Sequence, residues 1–115
     1  MSRVLLVDDD ADALSLRKLI FENDGHQVAI ASTAARAREQ FLAEPPDSVI
    51  LDLRLPDAND GLALIREFRD ASLKVIIVVL SGCCTDLDGK TEARMVDQVL
   101  SKPVRSEVLL RAIRV

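Results

Sequence analysis

The sequence predicts an α/β fold: five parallel strands in one doubly wound sheet with helices on both faces. Two observations carry this. Short apolar, β-branched runs recur five times, at residues 4–7, 28–31, 49–53, 75–80 and 98–100. They are continuous rather than alternating, which implies burial on both faces and hence a parallel sheet covered by helices. The intervals between them carry apolar residues at helical spacing.

In the first interval Ala13, Leu16, Ile20 and Phe21 mark the inward stripe of helix one, and Gly25 stands where a left-handed C-terminal cap is wanted. Ala34, Ala37, Phe41 and Leu42 repeat the spacing after Ser32, which reads as the N-cap of helix two, and Pro45 and Pro46 stop it. Helix three follows Gly61, with Leu64, Ile65 and Phe68 facing inward. A fourth helix over residues 86–95 is weaker, because Gly89 lies inside it and its apolar stripe is thin. That segment is expected to be the most mobile. A fifth helix carries Leu109 and Ile113. The alternation is therefore (βα) five times, and right-handed crossovers fold it into the flavodoxin-like strand order 2-1-3-4-5.

Length and composition bound the rest. A chain of 115 residues with no repeat or linker reads as a single domain, 1–115. Its 49% hydrophobic and 30% charged residues are the balance of a globular protein. A net charge of -4, without a Lys- and Arg-rich helix, argues against direct nucleic-acid binding. The longest apolar run, 75–80, is far below the ~20 residues of a membrane span. Residues 1–3 show no signal-peptide pattern, so the expected location is cytoplasmic. Cys83 and Cys84 are adjacent, which suits neither a structural disulfide nor a zinc site, and read as unbridged thiols on a loop. Met1 stands just before the first strand, as at a natural amino terminus. Helix five would stop at Val115, short for a covering helix, which reads as a trimmed chain or a longer parent with an output domain.

In open α/β sheets ligands bind beyond the carboxyl ends of the strands, so the residues closing each apolar run are the ones to read. Run one closes on Asp8 and Asp9, run three on Asp52, run four on Ser81 and run five on Lys102. Like charges packed at a strand end repel unless a cation lies between them. Three carboxylates at one edge make a hard, oxygen-rich site suited to Mg²⁺. A metal there would also hold phosphoryl oxygens while a carboxylate attacks phosphorus. Asp52, at the end of the central strand, is the natural nucleophile, Lys102 a fixed positive charge for the phosphoryl group, and Ser81 a hydroxyl that reaches it once present.

Taken in order, "VLLVDDD", "VILDLRLPDANDG", "VIIVVLSG" and "VLSKP" resemble a receiver domain of two-component response regulators over the whole chain. That resemblance implies a signalling module rather than an enzyme, phosphorylated by a sensor histidine kinase or a phosphotransfer protein. It implies Asp8 and Asp9 as the acidic metal pair, Asp52 as phosphoacceptor, Ser81 as switch hydroxyl, Lys102 as phosphate partner and the backbone carbonyl of Arg54 as a further Mg²⁺ ligand. A cis Lys102–Pro103 bond, and a switch of the face formed by helix four, strand five and helix five, are implied as well. So is control of the phosphoryl lifetime by Arg54 and Cys83. An output domain or downstream protein would read the state.

Two departures stand against that pattern. Val99 occupies a position where the family usually has an aromatic residue, and the stretch from Asp52 to Gly61 is one residue longer, which predicts a bulged loop at residues 57–60. Val99 keeps open a second reading, a pseudo-receiver that binds protein partners without being phosphorylated. A haloacid-dehalogenase-like phosphatase is disfavoured, since Arg54 stands where its second aspartate would be. A flavin site is disfavoured by the lack of Trp and Tyr. Asp10 and Asp12 read as helix-cap residues, His26 as structural, and Arg36, Arg38, Arg66 and Arg69 as the wet faces of helices two and three. Lys90, Arg94, Asp97 and Arg105 give a mixed-charge face suited to a monomer or a weak homodimer.

Overall fold

The structure is a computed structural model, and it describes residues 2–55, 57–82, 87 and 89–113. Strands β1 (Arg3–Val7), β2 (Gln27–Ala31), β3 (Ser48–Asp52), β4 (Ile76–Ser81) and β5 (Gln98–Ser101) form one parallel sheet in the order β2-β1-β3-β4-β5. The strand order is the expected one. Helices α1 (Ala11–Asn23), α2 (Ala34–Ala43), α3 (Ala58–Ala71) and α4 (Ser106–Ala112) cover it.

Period-two alternation sorts every central strand between two cores. Leu5, Val7, Val49, Leu51, Ile77 and Val79 point into the layer shared with α2 and α3, where Phe41 stacks on Phe68 at 4.3 Å between centroids. Val4, Leu6, Ile50, Val78 and Leu80 point to the other layer, with Leu14 and Phe21 of α1 and Leu109 of α4. The runs are continuous because both faces are dry. Burial of each such side chain contributes about 1.5–3 kcal/mol.

Several local expectations need correction. Helix α2 is capped by Thr33 rather than Ser32, the Thr33 hydroxyl accepting from the Arg36 N–H at 3.1 Å. Residues 57–60, expected as a bulged loop, form the cap and first turn of α3: the Asp57 carboxylate accepts from the Asn59 N–H at 2.9 Å and completes a capping box with Asp60. Helix α3 therefore starts ahead of Gly61. Leu16 and Leu42, expected inside, are 60% and 73% exposed, because α1 turns Leu14 and Phe21 inward and α2 turns Ala37 and Phe41. In place of the fourth helix the described residues show a 3₁₀ turn at Thr91–Arg94, with Cys83, Cys84 and Asp86 outside the described residues. The fifth predicted helix is α4, with Leu109 and Ile113 buried as expected.

Arg66 is exposed, as expected of a wet face, whereas Arg69 is half-buried, and both make contacts not expected from the sequence. Arg66 pairs with buried Glu92, and Arg69 donates to the carbonyls of Met95 at 2.9 Å and Val75 at 2.8 Å while pairing with Asp97 at 3.2 Å. Asp97, though exposed, also accepts from the Ile77 N–H at 2.7 Å, so its carboxylate helps to fix the start of β4. Arg38 bridges α2 to Glu67 of α3 at 2.8 Å, and Arg36 pairs with Glu39 in solvent. His26 is structural, as expected: its Nδ1 meets the Ser2 hydroxyl and its Nε2 lies 3.2 Å from an Asp24 carboxylate oxygen.

Candidate metal and phosphoryl site

All five strands point the same way, so the groups that follow them meet at one edge. Backbone pairing continues past the strands and fixes their register: the Asp8 N–H donates to the Ala31 carbonyl at 3.2 Å, Leu53 to Leu80 at 3.1 Å and Lys102 to Ser81 at 2.9 Å. The Lys102–Pro103 bond is cis. On the β3 side, Gly61 lets α3 come in over the strand end, since a Cβ there would lie 2.0 Å from the Leu53 carbonyl oxygen.

This edge holds a crevice of about 550 Å³ lined by Asp8, Asp9, Arg17, Asp52 and Lys102 among others. One carboxylate oxygen from each of Asp8, Asp9 and Asp52 falls within 4.8 Å of the others. Asp8 and Asp52 are buried and Asp9 is exposed. Asp52 Oδ1 accepts from the Arg54 N–H at 3.2 Å, and its Oδ2 is held by the Lys102 ammonium. Asp8 Oδ1 accepts from the Asp10 N–H at 2.9 Å, and its Oδ2 from Arg17 at 2.9 Å. Asp10 caps α1, accepting from the N–H groups of Asp12 and Ala13.

Of the expected site residues, Asp8, Asp9, Asp52 and Lys102 come together. Ser81 closes β4, buried, but is not among the residues lining the crevice. Arg54 turns its side chain to solvent, and Cys83 lies outside the described residues. Arg17 was missed. Its signal was its position three residues after Leu14 and four before Phe21, on the inward face of α1, which the choice of Leu16 for the stripe concealed. Among the described residues the donor set contains only carboxylate oxygens, with no His or Cys, and fits a hard divalent cation such as Mg²⁺. A larger cavity, about 1350 Å³, opens at the other end of the sheet near Ser2, His26 and Lys74, where no comparable group of ligating side chains forms among the described residues.

The profile of the response regulator receiver domain matches residues 4–114. The chain belongs to the response regulator receiver domain family. It is 40% identical over 82 residues to the virulence transcriptional regulatory protein PhoP of Salmonella typhimurium (strain 14028s / SGSC 2262), covering 71% of this chain and 36% of that protein. It is 31% identical over 113 residues to the transcriptional regulatory protein TrcR of Mycobacterium tuberculosis (strain ATCC 25618 / H37Rv), covering 97% of this chain and 44% of TrcR. The receiver thus spans less than half the length of these relatives. Among solved structures, a CheY-like receiver domain protein from Methanospirillum hungatei JF-1 superposes with a TM-score of 0.89 at 27% identity, covering 98% of this chain and 90% of that one. Among the described residues, no helix of this receiver is long and apolar enough to cross a membrane.

Proposed function

We propose that this receiver accepts a phosphoryl group on Asp52 from a phosphohistidine of a sensor kinase or phosphotransfer protein. The observation that carries the reading is the convergence of the Asp8, Asp9 and Asp52 carboxylates with the Lys102 ammonium seated on Asp52. Asp8, Asp9, Asp52 and the Arg54 carbonyl would hold Mg²⁺, whose charge neutralises the phosphoryl oxygens during transfer.

The chain's own groups do the rest. The Arg54 N–H fixes the Asp52 carboxylate through one oxygen, leaving the other as nucleophile. That oxygen forms the new bond to phosphorus as the phosphorus–nitrogen bond to the donor imidazole breaks and the imidazole departs with its electron pair. The Lys102 ammonium passes from the carboxylate to a phosphoryl oxygen, and the Ser81 hydroxyl donates to another. Each chain carries one phosphoryl group, as a signalling module and not as a turnover enzyme.

Movement of Ser81 and Lys102 would bias the segment from β4 through β5 to α4, the face offered to an output domain or downstream protein. Since the relatives are transcriptional regulators of greater length, an output domain acting in transcription fits this receiver.

Intact mass after incubation with Mg²⁺ and acetyl phosphate, for the wild type beside Asp52→Ala, tests the reading. One added phosphoryl group in the wild type alone is expected. No addition to either chain would favour the pseudo-receiver, a partner-binding module without phosphate, to which Val99 on the half-exposed face of β5 gives its support.

A further inference from the structure

The crevice holds a second cation that phosphoryl transfer does not call for. Arg17 reaches in from α1, and its Nη1 donates to Asp8 Oδ2 at 2.9 Å. The two side chains are only 18% and 4% exposed, so the pair is shielded from water in a way that surface ion pairs are not. The two buried carboxylates are held alike. Each has one oxygen on a backbone N–H, from Asp10 for Asp8 and from Arg54 for Asp52, and the other on a cation, Arg17 or Lys102. Asp9 is exposed and has no ion pair to a described residue.

Among the described residues Asp8 and Asp52 are each paired with a cation and Asp9 is not, so the cluster keeps a net negative charge. An incoming divalent ion therefore meets an acid cluster in which an Asp8 oxygen is already bound to a guanidinium, a group that stays charged at any working pH. We propose that Arg17 is a built-in competitor of the divalent cation. It neutralises Asp8 in the metal-free receiver and leaves Asp8 Oδ2 when the ion enters. Metal affinity is thereby set below what the three carboxylates alone would give. Reciprocity makes the coupling run both ways: an ion that expels Arg17 is weakened by Arg17 to the same degree. Arg17 also removes much of the repulsion that three clustered carboxylates would impose on the metal-free fold. The proposal rests on the metal site of the preceding section.

The test is calorimetric titration of the full 115-residue chain with MgCl₂ at fixed ionic strength, wild type beside Arg17→Gln, which removes the charge and keeps most of the stem. Binding roughly ten-fold tighter in Arg17→Gln is expected, in the ordinary range of couplings between sites. A residue that merely supported the site would weaken binding on removal. Equal or weaker binding in Arg17→Gln therefore overturns the proposal while leaving the metal site standing, whereas absence of Mg²⁺ binding in both chains removes the metal site and the proposal together. Should Arg17→Gln fail to fold, nitrogen-15 spectra of the wild type decide. The Arg17 guanidinium signals, slow to exchange in the metal-free chain, are expected to broaden into solvent exchange as Mg²⁺ saturates it. Signals unchanged at saturation overturn the proposal.

Discussion

At Gly61 the smallest side chain is required by the closest contact at the site. The Leu53 carbonyl oxygen stands where a Cβ would be, 2.0 Å away, and it belongs to the residue that follows the phosphoacceptor candidate. In an open helix, replacing Gly by Ala stabilises by about 1 kcal/mol. Here backbone meets backbone, and neither side can rotate away. Gly61→Ala is expected to destabilise by about 1–3 kcal/mol, as overpacking does. Gly82, where an added Cβ meets nothing within 4 Å, supplies the steric control. Urea denaturation of both variants gives the comparison, and a Gly61→Ala variant as stable as the wild type would mean that α3 does not press on Leu53. The same scale explains why Asp8 and Asp52 were readable in the sequence while Arg17 was not. An aspartate closing an apolar run announces itself by position alone, whereas the reach of a long side chain depends on how its helix is rotated.

Rotation is the property of elements that the apolar pattern left ambiguous. Helix α1 has leucines at 14, 16 and 19 and isoleucine at 20, so more than one stripe satisfies a helical period. The structure buries Leu14 and Phe21 and leaves Leu16 and Leu19 60% and 62% exposed. What decides is the sheet: Phe21 and Leu14 fill the layer over Val4, Leu6 and Ile50, and that rotation carries Arg17 to the crevice. Strands gave no such trouble, because continuous runs buried on both faces need no choice of side. The β4–β5 connection failed for another reason, since Gly89 and a thin stripe give a helix little to nucleate on, and only a 3₁₀ turn stands among its described residues. The two α1 leucines test the rotation directly. Leu14→Ala is expected to cost about 2–5 kcal/mol, the range for a buried leucine. Leu16→Ala is expected to stay within about 0.5 kcal/mol of the wild type, as exposed substitutions do. Equal losses at the two positions in thermal or urea unfolding would refute this rotation of α1.

Across the whole molecule, Glu92 ties the β4–β5 connection to α3. It is 6% exposed, pairs with Arg66, and its partner's hydrogen bond holds the carboxyl below its usual 4.5, aided by a backbone hydrogen bond and opposed by burial. A carboxylate whose folded value is depressed binds protons more readily in the unfolded chain, so the stability it contributes is present above 4.5 and is lost as pH falls through the folded value. The neighbouring clamp of Arg69 on Met95, Val75 and Asp97 holds the stretch that leads into β5, so protonation of Glu92 loosens one tie of the connection to α3 while the adjacent Arg69 clamp stays in place. Other carboxylates also destabilise the fold in acid, and the difference between wild type and variant isolates this one. Glu92→Gln is expected to be less stable than the wild type at neutral pH, with the gap closing as pH falls below about 4.5. Arg66→Met, which leaves the carboxylate buried without its cation, should lose stability at neutral pH and recover part of it in acid, where Glu92 becomes neutral. Unfolding free energies measured by urea from about pH 7 to pH 3 decide between this account and a solvent-exposed pair of no consequence, for which the wild-type and variant curves would run parallel.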